Sequence, residues 1–223
     1  SDNWAALGGT EDYHNNDLRA LLREIDFVSL HTYAFHDTYY DPSLQWAPPP
    51  DSNEQNLPAP EQTQRAIDRA LQHQIKQYQA VRDYLKKNGI QKPIHIGETG
   101  WAGRDNSHYG SRGTRAADEY KAKLFYDAVR DWTTRENLTC FYFQAFDEPW
   151  KSGGTDGSEG HFGLFTVEGK AKYMIWDQVD AGRFEGLTRG GNPIVKTHDG
   201  KVSALLNDLK PPAYKKNKAP AVP

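Results

Sequence analysis

Short apolar runs alternate with long stretches of helical period, and that alternation constrains the fold more than any other property of the chain. "DFVSLHTYAF" (26–35), "KPIHIGETGW" (92–101) and "LTCFYFQAF" (138–146) are rich in β-branched and aromatic residues, as strands are. The third run is continuous enough to be buried on both faces. Between the first two, Ile67, Leu71, Ile75, Tyr78, Val81 and Leu85 keep a helical period from Glu61 to Asn88, and Asn88-Gly89 is a stop signal. Between the second and third, a helix is expected from about Thr114 to Glu136, with Tyr120, Leu124 and Trp132 on one face. Strand, helix, strand, helix, strand with such long connections implies parallel pairing and right-handed crossovers.

The remaining segments frame this unit. "NDLRALLREI" predicts a short helix carrying Leu18, Leu21, Leu22 and Ile25, and "HFGLFTV" followed by "GKAKYMIW" reads as a hairpin or loop closing onto a final helix. The stretch "DPSLQWAPPPDSNEQNLPAP" is too polar and too rich in Pro to be core. "GGTDGSEG" follows no strand into a helix, as a phosphate loop would, and reads as an exposed flexible loop. The folded part is expected to span 1–209, with 210–223, "KPPAYKKNKAPAVP", a disordered tail.

Composition narrows the partners. A net charge of -3 over 223 residues suggests neither nucleic acid nor an anionic membrane. Six Trp and twelve Tyr in a chain of mean hydropathy -0.84 suit a polar, flat-faced ligand such as a sugar, although many ordinary enzymes share the mixture. The single Cys140 excludes an internal disulfide and reads as core. No signal peptide or membrane span is present in these residues. The His residues are scattered without metal-ligand spacing, so no metal or other cofactor is expected.

One carboxylate draws attention. Glu98 stands where the second run should emerge from the sheet, and in α/β proteins the carboxyl ends of strands carry the chemistry. A lone Glu there is more often a cap or an ion-pair partner, so its context has to decide. Three convincing strands plus the fragment "SDNW" are also too few for a full (β/α)8 barrel, which takes roughly 250 residues. The fold is a small open α/β sheet or the back portion of a barrel.

Three ordered motifs favour the barrel. "IGETGW" resembles the nucleophile signature of the family 17 glycoside hydrolases, the β-1,3-glucanases and laminarinases. "FQAFDEPWKSG" followed by "EGHFGLF" is similar to that family's last-strand segment in its bacterial branch, and "DFVSLHTYAF" to its sixth strand. The resemblance runs from Ser1 to Trp176, with Ala102 standing where many members carry Pro. It implies a TIM barrel of which this chain supplies the last part, from the end of strand 5 through strand 8 and the final helix.

The resemblance also implies a retaining mechanism on laminarin or a similar β-1,3-glucan, with Glu98 as nucleophile and a general acid in an Asn-Glu pair after strand four. That acid is not among these residues. Asn53-Glu54 lies in the Pro-rich loop and is assigned to solvent. Lys151 is expected as a cation near Glu98, or as an ordinary surface partner of Glu148. Glu148 and Glu159 are expected to bind sugar hydroxyls or hold Lys151. Tyr33, Trp101, Phe146 and Trp150 are expected to offer flat faces to glucose rings, with Phe146 and Trp150 alternatively packing the barrel mouth. His31 could bind sugar or be a satisfied buried His.

Transglycosylation on the same centre is the neighbouring activity. A non-catalytic glucan-binding module is the reading from another class, and the "ETGW" context argues against it, because a binding groove needs no nucleophile. An unrelated small α/β domain is disfavoured by the ordered motifs. The expected partners are the glucan and the N-terminal half of the barrel, on the same or a separate chain. Half a barrel exposes strand edges, so the isolated chain is expected to aggregate, to be inactive, or to need that companion. Export to the periplasm or outside the cell is expected from polymer size and family habit.

Overall fold

The computed structural model describes residues 1–152 and 157–214. Four parallel strands lie in sequence order: β1 (Asp2–Asn3), β2 (Val28–His31), β3 (Ile94–Thr99) and β4 (Cys140–Tyr142). The helices are α1 (Asn16–Glu24), α2 (Ala34–Tyr40), α3 (Ala59–Lys87), α4 (Glu119–Arg135), α5 (Trp176–Asp180) and α6 (Val202–Asp208). A small antiparallel ribbon pairs β5 (Thr188–Arg189) with β6 (Asn192–Pro193). Consecutive parallel strands with a helix in each long connection are a section of a (β/α)8 barrel.

Local signals explain the long elements. Asn15 caps α1 by accepting the Leu18 N–H at 2.8 Å, and Asp118 caps α4 by accepting the Lys121 N–H at 2.7 Å. Helix α3 begins after Pro58 and ends at Asn88, where Gly89 takes a left-handed φ of 64° that a Cβ would oppose. Its buried face includes Ala66, Ile67, Ala70, Val81 and Leu85, together with Gln74 and Gln77. Those two amides are tied inward, Gln74 Oε1 accepting from Thr99 Oγ1 at 3.0 Å and Gln77 donating to Asp37 at 2.8 Å.

Several expectations are corrected. The first apolar run is a strand only to His31, and its aromatic end starts α2 instead. The third run is a strand over three residues, and Phe141 is 63% exposed rather than buried on both faces. Among the described residues β4 has β3 as its strand neighbour and no strand on its other side. On α4 the core face is Phe125, Val129 and Trp132, while Tyr120 stacks on Tyr173 nearer the surface.

The Pro-rich loop also contributes core. Leu44, Trp46 and Ala47 are buried, and the Trp46 indole N–H donates to the Thr114 carbonyl at 2.8 Å. Glu54 is not in solvent: Arg69 grips its carboxylate at 2.8 and 2.9 Å, leaving the Glu54 side chain 9% exposed. A bidentate guanidinium pair satisfies both oxygens and so makes burial tolerable. Residues 153–156 of "GGTDGSEG" and 215–223 of the tail lie outside the described residues. Ser158 and Gly160 of that loop are buried, contrary to an exposed loop.

Trp46 joins Trp101 at a ring separation of 5.4 Å in the main core. Trp46→Ala is expected to cost about 3–5 kcal/mol, the range for deleting a buried aromatic. The denaturant midpoint of the intact protein, compared with the parent, checks this.

Candidate active site

Parallel strands end on one side, and the β2–β3 register sets His31 opposite Glu98. The Thr32 N–H donates to the Glu98 carbonyl at 3.0 Å, so the next residue, Tyr33, leaves the sheet beside the Glu98 side chain. The Tyr33 hydroxyl donates to Glu98 Oε2 at 3.0 Å, and His31 Nδ1 lies 3.6 Å from the same oxygen. Burial, then the negative charge of Glu98, pushes the Tyr33 hydroxyl well above its ordinary range. It therefore stays protonated and remains a donor. The Glu98 side chain is 40% exposed. A carboxylate oriented by a phenol on one side and open on the other can act as a nucleophile, a base or an acceptor for hydroxyl groups.

Beyond Thr99 the chain passes close to the extension of β4. A Cβ at Gly100 would meet the Phe143 carbonyl oxygen at 2.3 Å, so only glycine fits. The Phe143 N–H donates to the Thr99 carbonyl at 2.7 Å, and the Phe143–Gln144 peptide is cis. The Phe143 ring meets Tyr33 edge-on at 6.4 Å and carries the Lys151 ammonium over its face at 4.5 Å. Lys151 is ion-paired with Glu148, and the hydrogen bond from Lys151 holds the Glu148 carboxyl below its usual range, against a small desolvation effect.

On the other flank, His36 lies one helical turn after Tyr33, with ring centroids 5.4 Å apart. Its Nδ1 is 3.0 Å from the Tyr109 hydroxyl and its Nε2 3.8 Å from Glu159. Burial lowers the His36 pKa against the opposing pull of Glu159 and Asp37. Phe162 lies behind both, 5.9 Å from Tyr33 and 5.7 Å from His36.

The structure thus brings Glu98, Tyr33, Lys151, Glu148 and Glu159 into one continuous neighbourhood. Lys151 is held by Glu148, whereas Glu159 approaches His36. Trp101 is corrected: it has no exposed surface, its indole N–H donates to the Ala116 carbonyl at 2.9 Å, and its ring packs on Phe35 and Phe125. It offers no face to a sugar. Phe146 stacks on Phe165 and lies under the Arg189 guanidinium at 3.7 Å. Its ring is covered by protein. Trp150 is 70% exposed, with its ring free of packing within this part of the barrel.

Sequence reasoning missed His36, Phe143 and Phe162. Reading 26–35 as one strand hid His36, since only a helix brings residues i and i+3 to one face. It also missed Asp147, which is buried and accepts from Lys172 Nζ at 2.6 Å and the Gly163 N–H at 3.0 Å, with His161 Nδ1 at 3.2 Å. Among the described residues no group of three or more His, Cys, Asp or Glu could hold a metal ion. Among the described residues no helix is long and apolar enough to cross a membrane.

The fold and the strand-end carboxylate define a section of a (β/α)8 barrel of the kind that carries its chemistry at the carboxyl ends of the strands. No protein-family model matches the chain. A crystal structure of an endo-laminarinase from Formosa Hel1_33_131 is 49% identical, with a TM-score of 0.92 over 100% of this chain and 56% of that one. A curated glucan 1,3-beta-glucosidase of Arthroderma benhamiae is 36% identical over 88 residues, 36% of this chain and 27% of the relative. A glycoside hydrolase family 17 beta-1,3-glucanosyltransferase from Rhizomucor miehei is 20% identical, with a TM-score of 0.44 over 80% of this chain and 46% of that one. The likeness to the endo-laminarinase agrees with the resemblance to family 17 glycoside hydrolases that the ordered sequence motifs carry. The chain spans about half the length of the laminarinase it matches.

Asp147→Ala would leave the Lys172 ammonium buried and unpaired. It is expected to destabilise the protein by about 3–5 kcal/mol, as breaking a buried ion pair does. Asp147→Ala with Lys172→Met should recover much of that loss, and thermal unfolding of the three proteins reads the difference.

Proposed function

We propose that this chain carries the nucleophile half of a retaining β-1,3-glucan hydrolase, acting on laminarin-like polymers. The observation that carries the reading is the Tyr33–Glu98 hydrogen bond at the carboxyl ends of adjacent parallel strands. The likeness of this chain to about half of an endo-laminarinase supports the substrate class.

In this mechanism a Glu98 oxygen attacks the anomeric carbon as the glycosidic oxygen leaves with a proton from a second carboxylic acid about 5–5.5 Å away. Water, deprotonated by that second group, then attacks the same carbon and releases Glu98. The phenol of Tyr33 fixes the attacking carboxylate, and Glu148, Glu159 and Lys151 receive sugar hydroxyls around it. In this reading the second carboxyl group belongs to the N-terminal half of the barrel, on the same polypeptide or a companion. A polymeric substrate and the family resemblance imply action outside the cytoplasm.

The test uses a 2-fluoro laminarioligosaccharide fluoride, which forms the glycosyl-enzyme but hydrolyses it slowly. With the complete barrel assembled, the mass increase is expected on the peptide bearing Glu98, and Glu98→Gln is expected to lose both labelling and laminarin cleavage. Label on another residue, or full cleavage by Glu98→Gln, overturns the assignment. Tyr33→Phe removes one hydrogen bond to a charged group, worth about 1.5–3 kcal/mol. Its kcat on laminarin is expected to fall roughly tenfold to a hundredfold, with the fold unchanged by circular dichroism.

A further inference from the structure

A second cavity, of about 380 Å³, opens at the far end of α2. It is lined by Tyr39, Tyr40, Asp41, Gln45, Trp46 and Tyr214, with Thr38 and Pro42 completing the wall. Two of its rings are presented to solvent, Tyr40 at 64% and Tyr214 at 47% exposed, while Trp46 is buried and forms the floor. Hydrogen-bonding groups stand beside them: Gln45 is exposed, and Asp41 accepts the Ser43 N–H at 2.8 Å through Oδ1 while its Oδ2 lies 3.6 Å from His73 Nε2. Exposed aromatic faces next to a carboxylate and an amide are the chemistry that holds a sugar ring: C–H surface on the ring, hydroxyls on the polar groups.

The cleft is built rather than incidental. Thr114 ties its three walls together. Its carbonyl accepts the Trp46 indole N–H at 2.8 Å and the Ala213 N–H at 3.0 Å, and its hydroxyl lies 3.2 Å from that of Thr38. The Ala213 bond brings the C-terminal segment, and Tyr214 with it, across from α2.

Packed rings also connect the wall of the cleft to the Glu98 neighbourhood. From Tyr33 the ring contacts pass to His36 at 5.4 Å, to Tyr109 at 5.9 Å, to His108 at 6.0 Å and to Tyr39 at 4.2 Å, then to Tyr40 at 5.0 Å. Seven residues of helix separate Tyr33 from Tyr40, a rise of roughly 10 Å.

We infer that this cleft is a second carbohydrate-binding site, which takes glucosyl rings of the polymer away from the point of cleavage. The inference rests on the reading of the chain as a β-1,3-glucan hydrolase. The polymer supplies rings beyond those that a short oligosaccharide places at the Glu98 centre, and the cleft takes those rings.

The experiment compares Tyr40→Ala with Tyr214→Ala, singly and together, and with Tyr40→Phe, in the intact enzyme containing this chain. The double variant is expected to raise KM for laminarin about tenfold, with kcat and the kinetics on laminaritriose unchanged, while Tyr40→Phe keeps parental values. In a Glu98→Gln background, the double variant is expected to weaken laminarin binding by a similar factor in calorimetry. Unchanged laminarin KM and binding overturn the second site and leave the hydrolase reading intact. Equal losses on polymer and trisaccharide also overturn it, since the tyrosines would then serve the cleavage centre. Failure of the parent to bind or cleave laminarin at all overturns the hydrolase reading first, and the inference with it.

Discussion

The pairing of β2 with β3 is the constraint on which the site depends. Parallel strands deliver their carboxyl ends to one side, and this register sets His31 against Glu98. Across the pair the Ser29 hydroxyl occupies the space over Gly97, where a Cβ would come 1.9 Å from its Oγ. A slip of one residue would turn the Glu98 side chain to the other face of the sheet. Tyr33 would then have no carboxylate to meet, and α2 would start in the wrong place to carry His36. The geometry around Glu98 is thus fixed by backbone pairing before any side chain contributes.

The elements with strong local signals were legible: the long helix with its Asn-Gly end, the Asn15-capped first helix, and the strand ending in Glu98. What stayed hidden was direction. Sequence order puts Trp101 three residues after Glu98, but only the packing shows its indole turned into the core toward Ala116 and Phe125. The Pro-rich loop reads as solvent by composition, yet one Trp and one Arg–Glu pair suffice to anchor it. Gln74 and Gln77 interrupt the apolar pattern of α3 because each answers a polar group from a distant segment, Thr99 and Asp37. Such pairs are invisible to periodicity, since partners far apart in sequence leave no local trace. The motif around Asp147 marked its neighbours Phe146 and Glu148, and the buried ion pair with Lys172 emerges only when residues 25 positions apart meet.

The outer edge of β4 shows the same dependence on tertiary context. Phe141 is largely exposed, although it belongs to an apolar run of the kind that barrels bury. Beside it Tyr126, Val129, Thr133 and Leu138 of the α4 side line a groove with Cys140 and Tyr142. Burial pushes the Cys140 thiol up to about 11, so it is protonated at neutral pH and behaves as a small apolar group. An exposed strand edge of this kind leaves backbone N–H and C=O groups that a further strand could pair with.

Charge around the candidate centre follows one rule: each acidic group has a partner that also orients it. Glu148 has Lys151, Glu159 has His36, and Glu98 has the phenol of Tyr33. The choice of a phenol for Glu98 has a physical consequence. An ammonium at that place would neutralise the carboxylate and compete with an electrophile for its lone pairs, whereas a buried phenol fixes one oxygen and leaves the net charge in place. Because burial also keeps Tyr33 from ionising, the carboxylate is not exposed to a second negative charge at its side. The Lys151 ammonium, held over Phe143 and against Glu148, supplies positive potential at the rim without becoming the partner of Glu98 in the described contacts. The Glu98 carboxylate is thus oriented by the Tyr33 phenol with His31 Nδ1 3.6 Å from the same oxygen, and the His-Thr-Tyr sequence at the end of β2 provides that arrangement from three consecutive residues.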